Sequence, residues 1–369
     1  MNGTINAAAP GQARVGRTLE AAVREGPSHA YLFVGPKGSG KAALARAFAA
    51  ELLVEGSPDP EEARRRVLAS SSPHPDLIWI SPTGMSHAVA EIRERLIRLA
   101  PLSPFESPRR VFVIDRAEAL NEESQNAMLK TLEEPPAHAH LILLSSDSEA
   151  LLPTVVSRCQ RIEFEPLPEE LIESGLDPEI PKETATAVAR LSRGDPARAA
   201  FLVSRRGVDL RAVVERLMAA VLDSDLADSP WLGLTSLAEE TGEAAGEKAA
   251  EEFTRSEEEE GARHTKSEVE EGVKRAARRA RIGVLDLGLL LAVCWARDWA
   301  STAVGAEGLA FNLDRIDQLE DQAARVGPAR AAEAVELIEQ TRRSLRVNVS
   351  EELALEALSF RLERLLAAA

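Results

Sequence analysis

YLFVGPKGSGKAALARAF, residues Tyr31 to Phe48, decides how the first half of this chain folds. Tyr31 to Val34 is an apolar run of strand length, the turn after it holds Gly35, Pro36, Gly38 and Gly40, and an Ala- and Leu-rich helix opens at Lys41. Such a turn leaves successive backbone N–H groups unpaired, and the helix start adds a partial positive charge, so the concavity suits a polyphosphate. Lys41 supplies a mobile cation. Gly35, Lys37, Gly38, Ser39, Gly40 and Lys41 are therefore the candidate nucleotide-binding residues. The alternative is a tight turn leading to a solvated helix start.

Gly35 to Lys41 fits the phosphate-loop spacing G-x-x-x-x-G-K, but the next letter departs from it. That position normally carries Ser or Thr, whose hydroxyl holds magnesium; here it is Ala42. A missing charge-assisted contact is worth roughly 1.5–3 kcal/mol. ATP or ADP binding is expected to be weak, with metal poorly held.

Outward from this stretch, Asp76 to Ile80, Arg110 to Asp115, Leu141 to Ser146 and Gln160 to Phe164 are further runs of strand length, separated by helical patterns. Strands alternating with helices predict an α/β domain whose parallel sheet is covered on both faces. Residues 1 to 16 are small and polar without a period and read as a surface arm, followed by a short helix from Arg17 to Glu25. Asn121 to Pro136 (NEESQNAMLKTLEEPP) reads as a capped helix with Met128, Leu129 and Leu132 on one face.

Asp115 ends the third strand, where an open α/β sheet presents ligand-binding groups. In a phosphate-loop NTPase an acid here holds magnesium, and the residue after it is often a glutamate that polarises the attacking water. A helix cap or strand-end turn is the other reading. The following residue is Arg116, and a guanidinium cannot accept a proton from water. The metal-binding hydroxyl and the catalytic carboxylate are thus both missing from one site, which points to an NTPase core without hydrolysis. Arg158, just before the fifth strand, is expected in a loop at the same carboxyl edge as the phosphate loop. An arginine offered from a loop can serve another molecule's phosphates; on its own it can equally form a surface salt bridge.

From Pro166 onward the strands stop. Glu169 to Val203 reads as a small helical unit with breakers at Pro181 and Gly194-Asp195-Pro196. The remainder is helical, interrupted by acidic Thr241 to Lys274, with its run at Glu257 to Glu260, a solvated helix face or mobile connection. Lys274 to Arg281 (KRAARRAR) could touch DNA or neutralise the neighbouring acids, and Cys294 and Trp299 lie in an apolar stripe that suggests a buried thiol. The expected boundaries are 1–165, 166–207 and 208–369.

The 369 residues suffice for two or three domains, and 60 acidic against 44 basic side chains give a net charge of -16, which excludes a molecule built to coat nucleic acid. Two cysteines in unlike contexts exclude a disulfide framework. No stretch resembles a signal peptide, and the longest apolar run, Leu287 to Ala296, is too short to span a bilayer, so a cytoplasmic protein without membrane contact is expected.

Three stretches, HAYLFVGPKGSGK (His29 to Lys41), NAMLKTLEEPP (Asn126 to Pro136) and SRC (Ser157 to Cys159), together resemble bacterial clamp-loader AAA+ subunits, the gamma/tau and delta-prime subunits of DNA polymerase III. The match covers about the first 205 residues, and SLRVNVSEELALEAL (Ser344 to Leu358) looks like the last helices of the delta-prime collar. The resemblance implies a RecA-like domain, a small helical lid and a helical collar through which subunits form a ring. It further implies partnership with gamma/tau and delta subunits, the sliding clamp and, through the assembly, primer–template DNA. Within the family gamma/tau are the ATPases, whereas delta-prime commonly lacks working catalytic motifs and donates an arginine finger. Ala42 and Arg116 match the second description, and Arg158 occupies the finger position. Ser145 and Ser146 fall at the sensor position, while Arg198 lies one place later than the second sensor of the ATPase subunits. The family's four-cysteine zinc module is not expected, because the region between the Lys41 helix and His74 has no cysteine. No cofactor is required on this reading. An active gamma/tau-type ATPase remains the alternative.

Overall fold

The computed structural model describes residues 4–8, 10–69, 74–82, 87–260, 266–345 and 350–367. It divides into two compact units, Met1–Leu171 and Ile172–Ala369.

The first unit begins with α1 (Thr4–Ala8), α2 (Ala13–Glu25), β1 (Ala30–Val34), α3 (Lys41–Leu53), α4 (Pro60–Leu68) and β2 (Leu77–Ile80). It continues through α5 (Val89–Ile92), which runs into a π turn at Arg93–Ile97, then β3 (Arg110–Ile114), α6 (Glu122–Glu133), β4 (Ala139–Ser145), α7 (Pro153–Val156) and β5 (Gln160–Glu163). All strand pairs are parallel, in the order β2-β3-β4-β1-β5. This is the RecA-like α/β arrangement expected from the sequence.

The sheet is buried on both faces, which is why its strands read as unbroken apolar runs. Alternation sends Tyr31 and Phe33 into one core with Leu44, Phe48 and Val113, and Leu32 into the other with Ile92, Leu96, Phe112 and Met128. Asn121 caps α6 by accepting a hydrogen bond from the Ser124 N–H at 2.8 Å. Asp76 is fully buried; its carboxylate accepts the N–H groups of Phe105, Glu106 and Ser107 and meets the Arg110 guanidinium at 3.3 Å.

Residues 4–8 and 10–16 are not a surface arm; residues 1–3 and 9 lie outside the described residues. Ile5 and Val15 are buried in the core that covers α3, and Gln12, 5% exposed, donates to the carbonyls of Ser39 at 3.2 Å and Glu165 at 2.6 Å. The helix expected from Arg17 to Glu25 is α2 and starts earlier, at Ala13.

After α8 (Glu169–Ser174), the second unit holds α9 (Lys182–Ser192), α10 (Pro196–Val203), α11 (Arg205–Leu222), α12 (Leu232–Glu260), α13 (Lys266–Ala303), α14 (Ile316–Val326), α15 (Pro328–Ser344) and α16 (Glu351–Ala367). Trp295 and Trp299 are buried on α13 and both donate their indole N–H to Gln322. Cys294 is buried beside them, as its apolar stripe suggested. Of the acidic stretch, residues 261–265 lie outside the described residues; its other residues lie on α12 and α13, which pack along each other, with Gly242 and Gly246 against Ala277 and Gly272 against Phe253. Basic Arg275 pairs with Glu271 and Arg281 with Glu351, as expected of a helix face that neutralises nearby acids. Part of Ser344 to Leu358, residues 346–349, lies outside the described residues, as do residues 70–73 before His74.

Candidate functional site

The phosphate loop follows β1. Its first glycine has no room for a side chain, since a Cβ on Gly35 would lie 2.5 Å from the Phe164 carbonyl oxygen. Gly38 and Gly40 have φ of 77° and 88°, the left-handed region that favours glycine. Gly40 precedes the first turn of α3, and its carbonyl accepts the Leu44 N–H. The Lys41 ammonium donates to the carbonyls of Gly35 and Pro36, each at 2.6 Å, and approaches Ser39 Oγ at 3.4 Å. The backbone of the loop is thus curled around its own lysine.

A cavity of ≈ 280 Å³ opens over this turn. The loop lines it with Lys37, Gly38, Gly40 and Lys41, and the sheet's carboxyl edge adds Asp115, Arg116, Glu118 and Ser146. The structure therefore brings Asp115 to the phosphate loop, as the sequence predicted, 3.4 Å from Ser81 Oγ. Ser39 is instead fully buried, its carbonyl held by Gln12. Arg116 has a φ of 52°, uncommon for a residue with a side chain, and its Nε is buried without a partner.

Magnesium, which the fold implies, finds a poor donor set in these residues. A small hard cation needs oxygen ligands, yet residue 42 is alanine and residue 116 is a guanidinium. Glu118, a carboxylate missed in the sequence, is committed elsewhere: it accepts the Ser146 N–H at 3.1 Å and the Ser146 hydroxyl at 2.7 Å. Its signal was available as an acid three residues beyond Asp115 on the same turn. Of the two sensor candidates, Ser146 lines the cavity, while the Ser145 hydroxyl closes a local turn with Asp147. Arg198, the displaced second-sensor residue, donates to the Ser192 carbonyl at 3.0 Å.

Arg158 lies at the opposite rim of the sheet from the phosphate loop, not at the shared carboxyl edge expected from the sequence. The reason is strand direction. Arg158 precedes β5, and β5 runs parallel to β1, whose far end carries the loop. The length of β1 alone separates the two rims by about 13 Å. Arg158 lines a second cavity of ≈ 600 Å³ with Ser28, His29, Glu133 and Gln160, residues that begin strands or end α6. Its guanidinium donates to Glu133 at 2.6 Å and to the Thr154 carbonyl at 2.9 Å, with the Arg158 side chain 35% exposed.

Residues 11–168 match the family model described as DNA polymerase III, delta subunit. The delta' subunit of DNA polymerase III from Bacillus subtilis is 35% identical over 166 residues, covering 44% of this chain and 49% of the relative. The delta' subunit from Pseudomonas aeruginosa is 32% identical over 213 residues, covering 55% and 64%. The gamma/tau subunit from Mycobacterium tuberculosis strain H37Rv is 27% identical over 365 residues, 95% of this chain and 60% of that one. The chain thus spans about half to two thirds of the length of these relatives. With a parallel sheet and a phosphate loop after β1, residues 11–168 are thus similar to the clamp-loader subunits of DNA polymerase III.

Proposed function

We propose that this protein is a non-hydrolysing clamp-loader subunit of the delta-prime type. It would assemble in the cytoplasm with gamma/tau and delta subunits, and through that assembly help place a sliding clamp on primed DNA. Its contribution would be Arg158, offered in trans to ATP bound on a neighbouring gamma/tau subunit. The observation that carries this reading is the position of Arg158, partly exposed at the amino rim of a parallel sheet whose own phosphate loop sits at the other rim. A guanidinium there can serve only a second molecule's phosphates. Ala42 and Arg116, which leave the chain's own loop without a metal hydroxyl or a water-activating carboxylate, support the same division of labour. The helices past residue 171 would supply lid and collar.

The test is the DNA-stimulated ATPase of a loader reconstituted with Arg158→Ala. A fall of about tenfold or more is expected, since such fingers are worth up to 10³–10⁵ in rate. An unchanged rate would remove the finger in trans. An active ATPase of gamma/tau type is the second reading, favoured by the intact Gly35 to Lys41 spacing and by the long gamma/tau alignment. Turnover by the purified chain alone, lost on Lys41→Ala, would establish it.

A further inference from the structure

We infer that Arg116 stands in for magnesium in this chain's own nucleotide site, so that the cavity over the phosphate loop takes a nucleoside di- or triphosphate without a divalent cation. The inference deepens the weak nucleotide binding expected of the Gly35 to Lys41 loop and rests on that reading.

Charge at the cavity wall is the first ground. Lys37, Lys41 and Arg116 face Asp115 and Glu118 around one space, so the lining carries one net positive charge. With a glutamate at position 116, as in a hydrolysing phosphate-loop enzyme, the same lining would hold two cations against three acids. That lining would repel a polyphosphate until a metal ion entered with it. With arginine the polyphosphate meets a net cation with no metal present, and a guanidinium can bond two phosphate oxygens at once.

The second ground is geometric. Arg116 directly follows Asp115 at the carboxyl edge, in a left-handed conformation with φ 52° that carries a cost for any residue with a Cβ. Its Nε is buried with no hydrogen-bond partner. A buried N–H donor left unpaired is itself unfavourable, and because Arg116 lines the cavity, a turn of its guanidinium toward a phosphate there would give the donor a partner. The backbone at Arg116 opens the 3-10 turn Ala117–Ala119, its carbonyl accepting the Ala119 N–H at 2.8 Å, but the side chain serves no contact of the fold: no ion pair of Arg116 is found among the described residues.

The third ground is the metal's absent ligand. Ala42 removes the hydroxyl, and Glu118 is tied to Ser146 by two hydrogen bonds, which leaves Asp115 as the one carboxylate of the lining without a bond to the loop that follows β4. The site has lost the metal's ligand and gained a fixed cation two places from Glu118, and the two changes are complementary.

The test is equilibrium titration of the full-length chain with fluorescent ADP and with ATP, in magnesium and in EDTA. The wild-type protein is expected to bind with the same affinity in both, within about threefold, because no ligand bond depends on the metal. Arg116→Ala should weaken binding about tenfold or more in EDTA, while Arg116→Lys should retain most of it. Arg116→Glu should bind only with magnesium present. Circular dichroism at the same temperature verifies that each variant is folded. Wild-type affinity that collapses in EDTA, or an Arg116→Ala protein that binds as tightly as wild type, would overturn the inference and leave the nucleotide site standing. Absence of binding in both media, with Lys41→Ala indistinguishable from wild type, would overturn the site and the inference together, without bearing on Arg158.

Discussion

Arg158 and Glu133 form an ion pair of 2.6 Å at the amino rim of the sheet, with side chains 35% and 48% exposed. The residue proposed to reach a neighbour's phosphate is therefore held by its own chain, through a carboxylate from the Lys-Thr-Leu-Glu-Glu-Pro-Pro segment. Partly exposed pairs are worth about 0–1 kcal/mol. The restraint orients the guanidinium and yields readily to a polyphosphate.

Glu133→Gln and Arg158→Ala should accordingly separate. Each should change the unfolding free energy by less than about 1 kcal/mol in urea melts. In a reconstituted loader Glu133→Gln should keep ATPase within about twofold, whereas Arg158→Ala should lower it about tenfold or more. Equal losses in both variants would show that the carboxylate is required for the finger rather than merely restraining it.

Asp76 predicts an acid-sensitive fold. Burial alone would raise its carboxyl, but hydrogen bonds from the N–H groups of Glu106, Phe105 and Ser107 and from Arg110 outweigh burial and hold it below the ordinary carboxylate range. A depressed folded value means stabilisation that is fully present above the unfolded value of about 3.9 and lost as pH falls through the folded one. Asp76→Ala leaves Arg110 buried without its acid and should cost about 3–5 kcal/mol at neutral pH. Urea melts from pH 7 down to pH 3 should show a flatter acid limb in the variant than in the parent; parallel limbs would refute this.

Gln12→Ala should loosen the phosphate loop from behind. The side chain bridges the Ser39 and Glu165 carbonyls, and removing it leaves the Ser39 carbonyl, on a fully buried residue, without its donor, while the exposed Glu165 can turn to water. The expected loss is about 1–3 kcal/mol, with faster amide exchange in the Gly35 to Lys41 turn than in β3. Exchange unchanged in that turn would show that the loop is set without it.

Neither cysteine should react readily in the native state. Burial pushes the Cys294 thiol up to about 12, reinforced by the Asp298 charge, and burial likewise pushes Cys159 up to about 12. At pH 8 an aromatic disulfide reagent should label both slowly, and two thiols should appear on unfolding. Rapid labelling of folded protein would contradict this packing.

The sheet was legible because strands buried on both faces have to be apolar throughout, as Val111 to Ile114 and Leu141 to Leu144 are. The loop and Asp115 were legible because spacing alone places them at one edge. The rim that carries Arg158 was misjudged although a parallel sheet was expected: a residue that precedes a parallel strand sits at the amino rim, and the pairing of β5 with β1 places Arg158 there. Ile5 and Gln12 escaped notice because one apolar residue among Ala and Asn sets up no period. The long pair α12 and α13 escaped because its contacts are made by Gly242, Gly246 and Ala277, small residues that draw no apolar stripe.

The parallel sheet, with a receiving turn at one rim and a giving arginine at the other, makes the subunit a vector. If Arg158 serves a neighbour's phosphates as proposed, the contacts between subunits would be heterologous, and the resulting arc would have a direction and an order of seats. On the reading proposed above, a member whose own turn does not fire would contribute most where its arginine faces a working neighbour, which would seat it at one terminus of the row.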